Sequence, residues 1–520
     1  MTRHRVADLA SLTDKSMKMF DVDGTKVLLV RRGERIDALQ GLCPHKGVPL
    51  DKGVLDGDQV VCGIHRAAFR IESGEVVQPP AQNCLARYEA SVEDGVVHVE
   101  IPDGHEKHPA PSMVSRTAGT PDTRHFVIIG AGAAGWAAAE TLRREGFTGR
   151  VTILSDEEAL PFDRTDLSKA YLKGGDEPAE PWRRDAAFLT KHDLTLRHAK
   201  ADAINYDAGR IVLHGGGSLA YDALLIATGA EAREIDVPGA DKDGIHTIRT
   251  LADAKRLRAD LAERAGKAAG KVPVVVIGGG FVGMEAAVAL SGRENVSVTV
   301  VMPDDVPFKN IVGEELGRRI RDEHEENGVA FVTGEGRGEV TGFAGNGRVE
   351  AVETKSGEPV PAGVVVVGIG AVPRTDWLDL ETGEDGGISV GADLAVPGRE
   401  NVWVAGDIAR VPTRWGEVRI EHWRHAEQLG ALAARNMLGR SETYSEAPFF
   451  WTMQQIAGSY SYTGHAEGWD EMRIEGDIEG PDFIASYVKD GKVMATFGHG
   501  MLAEQSRVER EMATTGPLKA

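Results

Sequence analysis

Two cysteines and two histidines lie close together near the start of this chain, in a pattern that could hold metal. Cys43 and His45 are separated by one residue, and Cys62 and His65 follow after 16 residues. A [2Fe–2S] cluster can be held by two thiolates on one iron and two neutral imidazoles on the other. Zinc ligands usually group as a cysteine pair and a histidine pair, whereas the types alternate here. The pattern favours iron–sulfur over zinc or a site without metal.

Two glycine-rich turns follow apolar stretches further along the chain. GAGAAG begins at Gly130 after HFVII, and GGGFVG begins at Gly278 after PVVVI. Glycines between a strand and a helix allow a pyrophosphate to approach the helix N-terminus closely. One such turn could arise by chance, but two in the same context predict two dinucleotide sites. Glu157 follows the next apolar stretch, where a carboxylate would bind an adenosine ribose.

Three blocks of different pattern must position these residues. Up to about residue 100, alternating stretches such as KVLLV and GVVHVEI predict a small all-β domain. Residues 101–123 have no apolar period and are rich in Pro, Ser, Thr and Gly, which indicates a linker. From His125 onward, apolar strands alternate with amphipathic helices, the pattern of α/β units with parallel sheets. Aromatic-rich stretches after about residue 443 predict a final α+β domain.

The composition limits the classes of function. The net charge of −21 disfavours binding to nucleic acid phosphates and to anionic membranes. Three cysteines argue against a disulfide framework and suit a reducing compartment. The start lacks the apolar core of a signal peptide, and no apolar run approaches the ~18 residues of a membrane span. We therefore expect a cytoplasmic protein that binds neither nucleic acid nor membranes.

The segments around the Cys–His pairs, CPHKGVPL and CGIHRAAFRIESGEVVQPPA, resemble the two boxes of Rieske ferredoxin domains. The resemblance covers about the first 100 residues and implies that Cys43, His45, Cys62 and His65 are the cluster ligands. The Arg-Ala pair after the second histidine replaces the hydroxyl-bearing stretch that donates hydrogen bonds to the cluster in high-potential members. Fewer donors imply a potential near the lower end of the Rieske range, about −150 mV.

The rest of the chain resembles pyridine nucleotide-dependent flavoprotein reductases of the ferredoxin reductase and apoptosis-inducing-factor-like branch. The resemblance covers residues 125–520 and rests on the glycine turns and on LPFDRTDLSK, YDALLIATGA and NVWVAGDIA. It implies an all-β Rieske domain, two Rossmann-like dinucleotide-binding domains of the α/β class, and a C-terminal α+β domain. The implied boundaries are 1–103 (Rieske), 104–124 (linker), 125–247 and 371–442 (FAD-binding), 248–370 (NAD(P)H-binding) and 443–520 (C-terminal).

The same resemblance implies individual cofactor contacts. The residues implied to bind FAD are Gly130, Gly132, Ala134, Gly135, Glu157, Arg164, Lys169, Thr228, Gly229, Arg233, Gly406, Asp407, Glu421, Trp423 and Trp451. Those implied to bind the nicotinamide dinucleotide are Gly278, Gly280, Phe281, Val282, Gly283, Glu285 and Gly370. The implied catalytic residues are Lys169, Glu285 and Trp423. Core packing is the alternative role for the two tryptophans, and a solvated surface position is the alternative for the Glu285 carboxylate.

One position departs from the family pattern at the expected adenosine ribose. Met302 ends the strand after the second glycine turn, where family members commonly carry a glutamate. No arginine follows at once to clamp a 2′-phosphate, and Asp304 and Asp305 would repel one. The sequence therefore favours NADH, with NADPH as the alternative.

Together these parts predict an NAD(P)H:ferredoxin-type, FAD-dependent oxidoreductase. All three cysteines precede residue 85, so the chain lacks the Cys-x-x-x-x-Cys pair through which disulfide reductase relatives pass electrons. We expect electrons to pass from NADH through FAD to the Rieske cluster, held on a flexible tether, and then to a one-electron acceptor such as an oxygenase. An apoptosis-inducing-factor-like NADH oxidase whose cluster is a sensor is the alternative. The acceptor and the oligomeric state are left open.

Overall fold

The computed structural model describes residues 2–117, 122–175, 185–267, 269–453 and 459–520. Its N-terminal part consists of two antiparallel sheets. One has the strand order Thr2–Asp8, Val96–Ile101, Arg87–Glu93, Arg35–Gln40, Thr25–Arg32, Ser16–Val22. The other has the order Val54–Asp56, Gln59–Val61, Ala68–Arg70, Val76–Gln78. The Cys–His segments lie in the loops between these strands.

The alternating pattern of KVLLV matches its burial in this part of the fold. Leu28 and Val30 point into the core around the two cysteines, whereas Val27 and Leu29 point into a second core on the other face. Successive side chains of a strand lie on opposite faces, so a strand between two cores is apolar throughout. The predicted all-β N-terminal part is therefore packed on both sides of one sheet.

Helices appear in the remaining, mixed α/β part of the chain. The helices are α1 (Ala133–Arg144), α2 (Ala170–Lys173), α3 (Ala186–Lys191), α4 (Leu251–Lys267), α5 (Phe281–Ser291), α6 (Lys309–Val312), α7 (Glu314–Glu326), α8 (Trp423–Met437) and α9 (Leu502–Thr515). Short 3-10 helices cover Leu9–Ser11, Leu50–Lys52 and Arg164–Asp166. No described helix is long and apolar enough to cross a membrane.

The first parallel sheet carries the first glycine turn. Its strand order is Leu194–His198, Arg150–Ser155, His125–Ile129, Ala223–Ile226, Val402–Val404. The turn after His125–Ile129 leads directly into α1, as the sequence predicts. Gly130 has a φ of 110°, and a Cβ atom there would collide with the carbonyl oxygen of Ala227. Only glycine fits this turn, which brings the N-terminus of α1 against the ends of the strands.

The second parallel sheet repeats this arrangement with α5. Its strand order is Ile245–Thr247, Val364–Val367, Val272–Ile277, Val296–Met302, Val329–Thr333. The predicted boundary at 247 assigned the first of these strands to the FAD-binding domain, but the strand pairs in this second sheet. Three residues carry too little periodicity to reveal which sheet a strand joins.

The C-terminal part is an antiparallel sheet with α9. The sheet has the order Phe449–Thr452, Tyr460–Gly464, Lys492–His499, Phe483–Lys489, Glu471–Gly476, and Leu518–Lys519 pairs with Lys492–His499. Its aromatic side chains share one core with the second parallel sheet. Smaller sheets contain Ala201–Asn205, Arg210–Leu213 and Ser218–Ala220; Ala230–Ala232 and Ala371–Pro373; Val340–Ala344, Ala351–Thr354 and Val360–Pro361; Ile388–Ser389, Ala409–Thr413 and Gly416–Val418.

The predicted linker lies along the surface of the parts that it joins. The carbonyls of Lys107 and Pro109 accept hydrogen bonds from the amides of Ala86 (3.0 Å) and Cys84 (2.8 Å). Further on, the amide of Val114 donates to a carbonyl of α1 at 3.0 Å. Residues 118–121 of the predicted tether lie outside the described residues. Its described part is thus held to both neighbours by backbone hydrogen bonds.

Candidate redox site

Equivalent hydrogen bonds close the two Cys–His loops. The amide of Cys43 donates to the carbonyl of Val48, and the amide of Cys62 donates to the carbonyl of Ala67, both at 2.8 Å. The cysteines are 2% and 1% exposed, and the two histidines are half-buried. Two loops of the same construction therefore present the four predicted ligands at one place.

The four side chains meet as a sulfur pair and an imidazole pair. The Cys43 thiol donates a hydrogen bond to the Cys62 sulfur, which lowers the pKa of Cys62 to about 7. The Nδ1 atoms of His45 and His65 are 3.0 Å apart. Burial lowers the pKa of His45 to about 3 and that of His65 well below its usual value, so both rings are neutral. In the described residues, no three metal-binding side chains are arranged around a single ion.

This donor set fits a [2Fe–2S] cluster. Two sulfurs and two neutral imidazoles, each pair on its own side, match a cluster with one thiolate-bound and one imidazole-bound iron. The Nδ1 atoms of the two imidazoles lie close together, as two ligands of the same iron must. The burial that keeps the rings neutral also suits them as ligands, because only a neutral imidazole nitrogen can bind a metal.

A cavity of about 880 Å³ lies beside this loop pair and opens onto the N-terminus of α1. Gly132, the N-cap of α1, provides no side-chain cap, so the first helical amides are left to a ligand. These features fit the pyrophosphate of FAD. The predicted residues in the cavity lining are Gly130, Gly132, Ala134, Glu157, Arg164, Lys169, Thr228, Gly229, Phe281, Val282, Glu285, Gly406, Asp407, Glu421, Trp423 and Trp451.

Other predicted contacts lie away from the cavity lining. These residues are Gly135, Arg233, Gly278, Gly280, Gly283 and Gly370. Gly135 packs against the carbonyl of Gly130, and Gly283 against that of Gly278, so both serve helix–strand packing. Arg233 is exposed, and its amide donates to the carbonyl of Gly370 at 3.0 Å.

Acidic and basic side chains form ion pairs within the cavity lining. Arg164 pairs with Glu157 at 2.5 Å, and Arg249 pairs with Asp407 at 3.0 Å. Sequence reasoning missed Arg249, Arg374 and His422, which also line the cavity. Arg249 and Arg374 lie in no glycine turn or flavin motif, so their only signal was a position shortly after a short strand. His422 lies between the predicted residues Glu421 and Trp423, which was a usable signal.

The half-buried Lys169 and the buried Glu285 form an ion pair in the cavity wall. The Lys169 ammonium lies 2.7 Å from the Glu285 carboxylate. The same carboxylate accepts hydrogen bonds from Ser168 (2.8 Å), Thr452 (3.0 Å) and the amide of Met453 (3.2 Å). Glu285 is 7% exposed, so the alternative of a solvated surface glutamate does not describe it. Four donors fix its orientation.

Trp451 connects the cavity to the predicted cluster ligands. Its ring centroid lies 4.4 Å from that of His65 and 4.3 Å from that of His422. His422 is the N-cap of α8 and lines the cavity together with both tryptophans. Trp423 begins α8 and also packs against the core of the first parallel sheet, so core packing and cavity lining are combined in one side chain.

Asp385 does not line the cavity but binds Arg419, which does. It accepts hydrogen bonds from Arg419 (2.7 Å) and Arg410 (2.8 Å), and Arg419 also binds Glu421 in the lining. Burial by itself raises the pKa of Asp385, but the two guanidinium groups outweigh it and lower the pKa to about 2. A carboxylate whose pKa is lower in the folded protein than in the unfolded chain stabilises the fold at pH values above its pKa in the unfolded chain. That stabilisation is lost as the pH falls through the lower pKa of the folded protein.

We therefore expect Asp385→Asn to lower the free energy of unfolding by about 1 kcal/mol at pH 7, after discounting for solvent screening. The difference from the unsubstituted protein should shrink between about pH 4 and pH 2, since both proteins then lack the charge. Urea unfolding at several pH values measures it. Asp379→Asn is the control, because that carboxylate is 95% exposed. A difference that stays constant down to pH 2 would contradict the assignment.

Residues 124–430 match the family of pyridine nucleotide-disulphide oxidoreductases, and residues 2–89 match the Rieske [2Fe–2S] domain. The chain therefore belongs to the pyridine nucleotide-disulphide oxidoreductase family and carries an N-terminal Rieske domain. It is 34% identical over 505 residues to apoptosis-inducing factor 3 of Homo sapiens, covering 94% of this chain and 80% of that protein.

The part after the Rieske domain has further relatives. It is 34% identical to the ferredoxin–NAD(+) reductase component of the biphenyl dioxygenase system of Paraburkholderia xenovorans (strain LB400), covering 76% of this chain and 94% of that protein. A chain in the crystal structure of the covalent putidaredoxin reductase–putidaredoxin complex is 26% identical to this chain and matches it with a TM-score of 0.70. The match covers 76% of this chain and 95% of that chain. The predicted family, enzyme class and cofactor set of FAD, NAD(P)H and a Rieske cluster are confirmed.

Proposed function

We propose that this chain is a fused ferredoxin and ferredoxin reductase that takes electrons from NADH and delivers them singly to an outside acceptor. The observation that carries the proposal is the contact of Trp451, a wall of the dinucleotide cavity, with the ring of His65 at 4.4 Å. When bound, FAD supplies two-electron chemistry with NADH and one-electron chemistry with the cluster. None of the described residues that line the cavity is a cysteine, so no thiol pair in its wall competes as an outlet.

Different side chains bind the cluster and the nicotinamide. In this proposal Cys43 and Cys62 hold one iron, and His45 and His65 hold the other. Glu285 binds the carboxamide of the nicotinamide, and Lys169 orients the Glu285 carboxylate at 2.7 Å. The rigid hydrogen bonding of that carboxylate presets its geometry before the nucleotide enters.

The names of the relatives support a redox protein as the acceptor. The Paraburkholderia protein is a reductase component of a dioxygenase system, and putidaredoxin reductase forms a covalent complex with putidaredoxin. Here the ferredoxin-like domain is already part of the chain. We therefore propose that the acceptor lies one step beyond a ferredoxin, as an oxygenase or a similar one-electron protein.

An anaerobic titration with NADH tests this proposal. We expect absorption spectroscopy to show flavin bleaching, and low-temperature EPR to show a rhombic Rieske signal that grows with it. Bleaching without a paramagnetic iron signal in a sample that contains iron would contradict the relay and favour an NADH oxidase whose cluster is a sensor. Iron and zinc analysis of the same sample identifies the metal at the Cys–His loops.

NADH is expected to be the better nucleotide. Met302 is buried at the strand end, and Asp304 and Asp305 are exposed directly after it. Two carboxylates near a 2′-phosphate would repel it, so we expect kcat/KM for NADH to exceed that for NADPH by roughly tenfold or more. Steady-state kinetics with both nucleotides measures the ratio, and the Asp304→Asn/Asp305→Asn variant should reduce it. Equal values for the two nucleotides would contradict the expectation.

A further inference from the structure

The Rieske domain is seated against α8 and α9 through polar and charged side chains. Gln428 on α8 donates to Gln78 at 3.1 Å, and Arg510 on α9 donates to Asp56 at 2.6 Å. Glu446 links these two contacts, because it pairs with Arg510 at 3.0 Å and accepts a hydrogen bond from Gln78 at 3.1 Å. These contacts tie two strands of the Rieske domain to the reductase.

Glu509 on α9 lies at the buried centre of this interface. Its side chain is 0% exposed and faces two guanidinium groups, with Arg66 Nε at 3.9 Å and Arg424 Nη2 at 3.5 Å. Both guanidinium groups also lie over the ring of Phe449, 4.9 and 5.3 Å from its centroid. Within the described part of the chain, the Glu509 oxygens accept no hydrogen bond. The contribution of this carboxylate is therefore its charge, which compensates two buried cations.

The two cations come from the two sides of the interface. Arg66 belongs to the Rieske domain and is only 1% exposed, and Arg424 belongs to α8 and is also 1% exposed. Arg424 reaches back to the Rieske domain, because its Nε donates to the carbonyl of Pro79 at 3.3 Å. Without a negative charge between them, these two buried cations would repel each other across the interface.

The two guanidinium groups and the Phe449 ring beneath them are sequence neighbours of three rings that pack edge-on or tilted against one another. Each lies one or two residues from a ring of the series His65, Trp451 and His422. The spacing of these rings therefore depends on the position of the backbone segments that meet at Glu509. Glu509 itself is not among the residues that line the cavity.

We infer that Glu509 is a positioning residue for the one-electron transfer from the flavin site to the Rieske cluster. The inference rests on the proposed function. Loss of the charge should separate the two guanidinium groups and move His65 away from Trp451. A larger separation of these rings lengthens the path between the flavin site and the cluster, which slows one-electron transfer.

Glu509→Gln tests the inference, because it removes the charge and keeps the shape. In anaerobic stopped-flow mixing with NADH, we expect flavin bleaching at the unsubstituted rate and cluster reduction severalfold slower. Hydrogen–deuterium exchange of the same variant should show faster exchange in residues 62–70, where the Cys62 loop lies. Glu511→Gln is the matched control, since Glu511 is on the same helix but exposed. It should change neither measurement.

Several outcomes separate this inference from the proposed function. If the unsubstituted protein does not reduce its cluster with NADH, the proposed function fails. If it does and Glu509→Gln matches it, only the positioning role fails. Slower cluster reduction without faster exchange would also overturn the role, because the domain would not have moved.

A second variant covers the case in which Glu509→Gln does not fold. Arg510 lies next to Glu509 on α9, and its side chain is 25% exposed, so Arg510→Gln disturbs the same interface at its edge. We expect a smaller slowing of cluster reduction with unchanged flavin bleaching. Cluster reduction at the unsubstituted rate in Arg510→Gln would overturn the inference.

Discussion

Cys62→Ser is expected to abolish one-electron delivery while NADH still bleaches the flavin. A serine hydroxyl stays protonated where the thiolate of Cys62 would bind iron. Loss of partners that only orient metal ligands already costs 10- to 100-fold, so loss of a ligand should lower the rate of cytochrome c reduction by more than about 100-fold. Ferricyanide, which a flavin can reduce directly, should still be reduced.

The control for this prediction is the third cysteine. Cys84 is also buried, at 8% exposure, and packs in the same core, so Cys84→Ser makes the same chemical change nearby. We expect it to keep its iron and its EPR signal. A Rieske signal in Cys62→Ser, or its loss in Cys84→Ser, would contradict the ligand set Cys43, His45, Cys62 and His65.

Gly430→Ala is expected to prevent FAD binding. Gly430 lies on α8 where it crosses α1, and a Cβ atom there would collide with the carbonyl of Ala134. Ala134 is in the first turn of α1 and lines the cavity. One added methyl would therefore push apart the helices that form the phosphate end of the site. Overpacking of this kind costs about 1–3 kcal/mol, and we expect a low flavin-to-protein ratio and a lower Tm.

Gly266→Ala provides the matched helical control. Gly266 is on α4, has no positive φ, and a Cβ atom there would have no heavy atom within 4 Å. Alanine is a better helix former than glycine, so we expect full FAD content and a gain of about 0.5–1 kcal/mol. Full FAD content in Gly430→Ala as well would show that the crossing of α1 and α8 tolerates a wider separation.

Much of the fold and of both sites could be predicted because their signals are local. The turn at Gly130 needs glycine for steric reasons, so it is visible in the letters between HFVII and α1. Cys43 and His45 lie within one loop, as do Cys62 and His65, so their spacing carries the ligand pattern. Local patterns of this kind can be recognised in the sequence without knowledge of the tertiary contacts.

What the sequence could not reveal depends on contacts between distant segments. The pairing of Arg249 with Asp407 joins residues 158 positions apart. The seating of Arg66 against Glu509 joins the first domain to the last helix, and nothing in the sequence around either residue indicates the other as its partner. The strand Ile245–Thr247 is assigned to its sheet only by its partner. Such choices are made by packing, which overrides weak local preferences.

The backbone bonds from the linker decide where the Rieske domain can be cut from the protein. A fragment that ends at residue 103, the predicted boundary, gives up the hydrogen bonds that Lys107 and Pro109 accept from Ala86 and Cys84. It also loses the contact of His105 with the hydroxyl of Tyr88 at 2.9 Å. At about 1 kcal/mol for each, these three bonds are a large share of the stability of so small a domain. An autonomous electron carrier taken from this chain should therefore extend past Pro109.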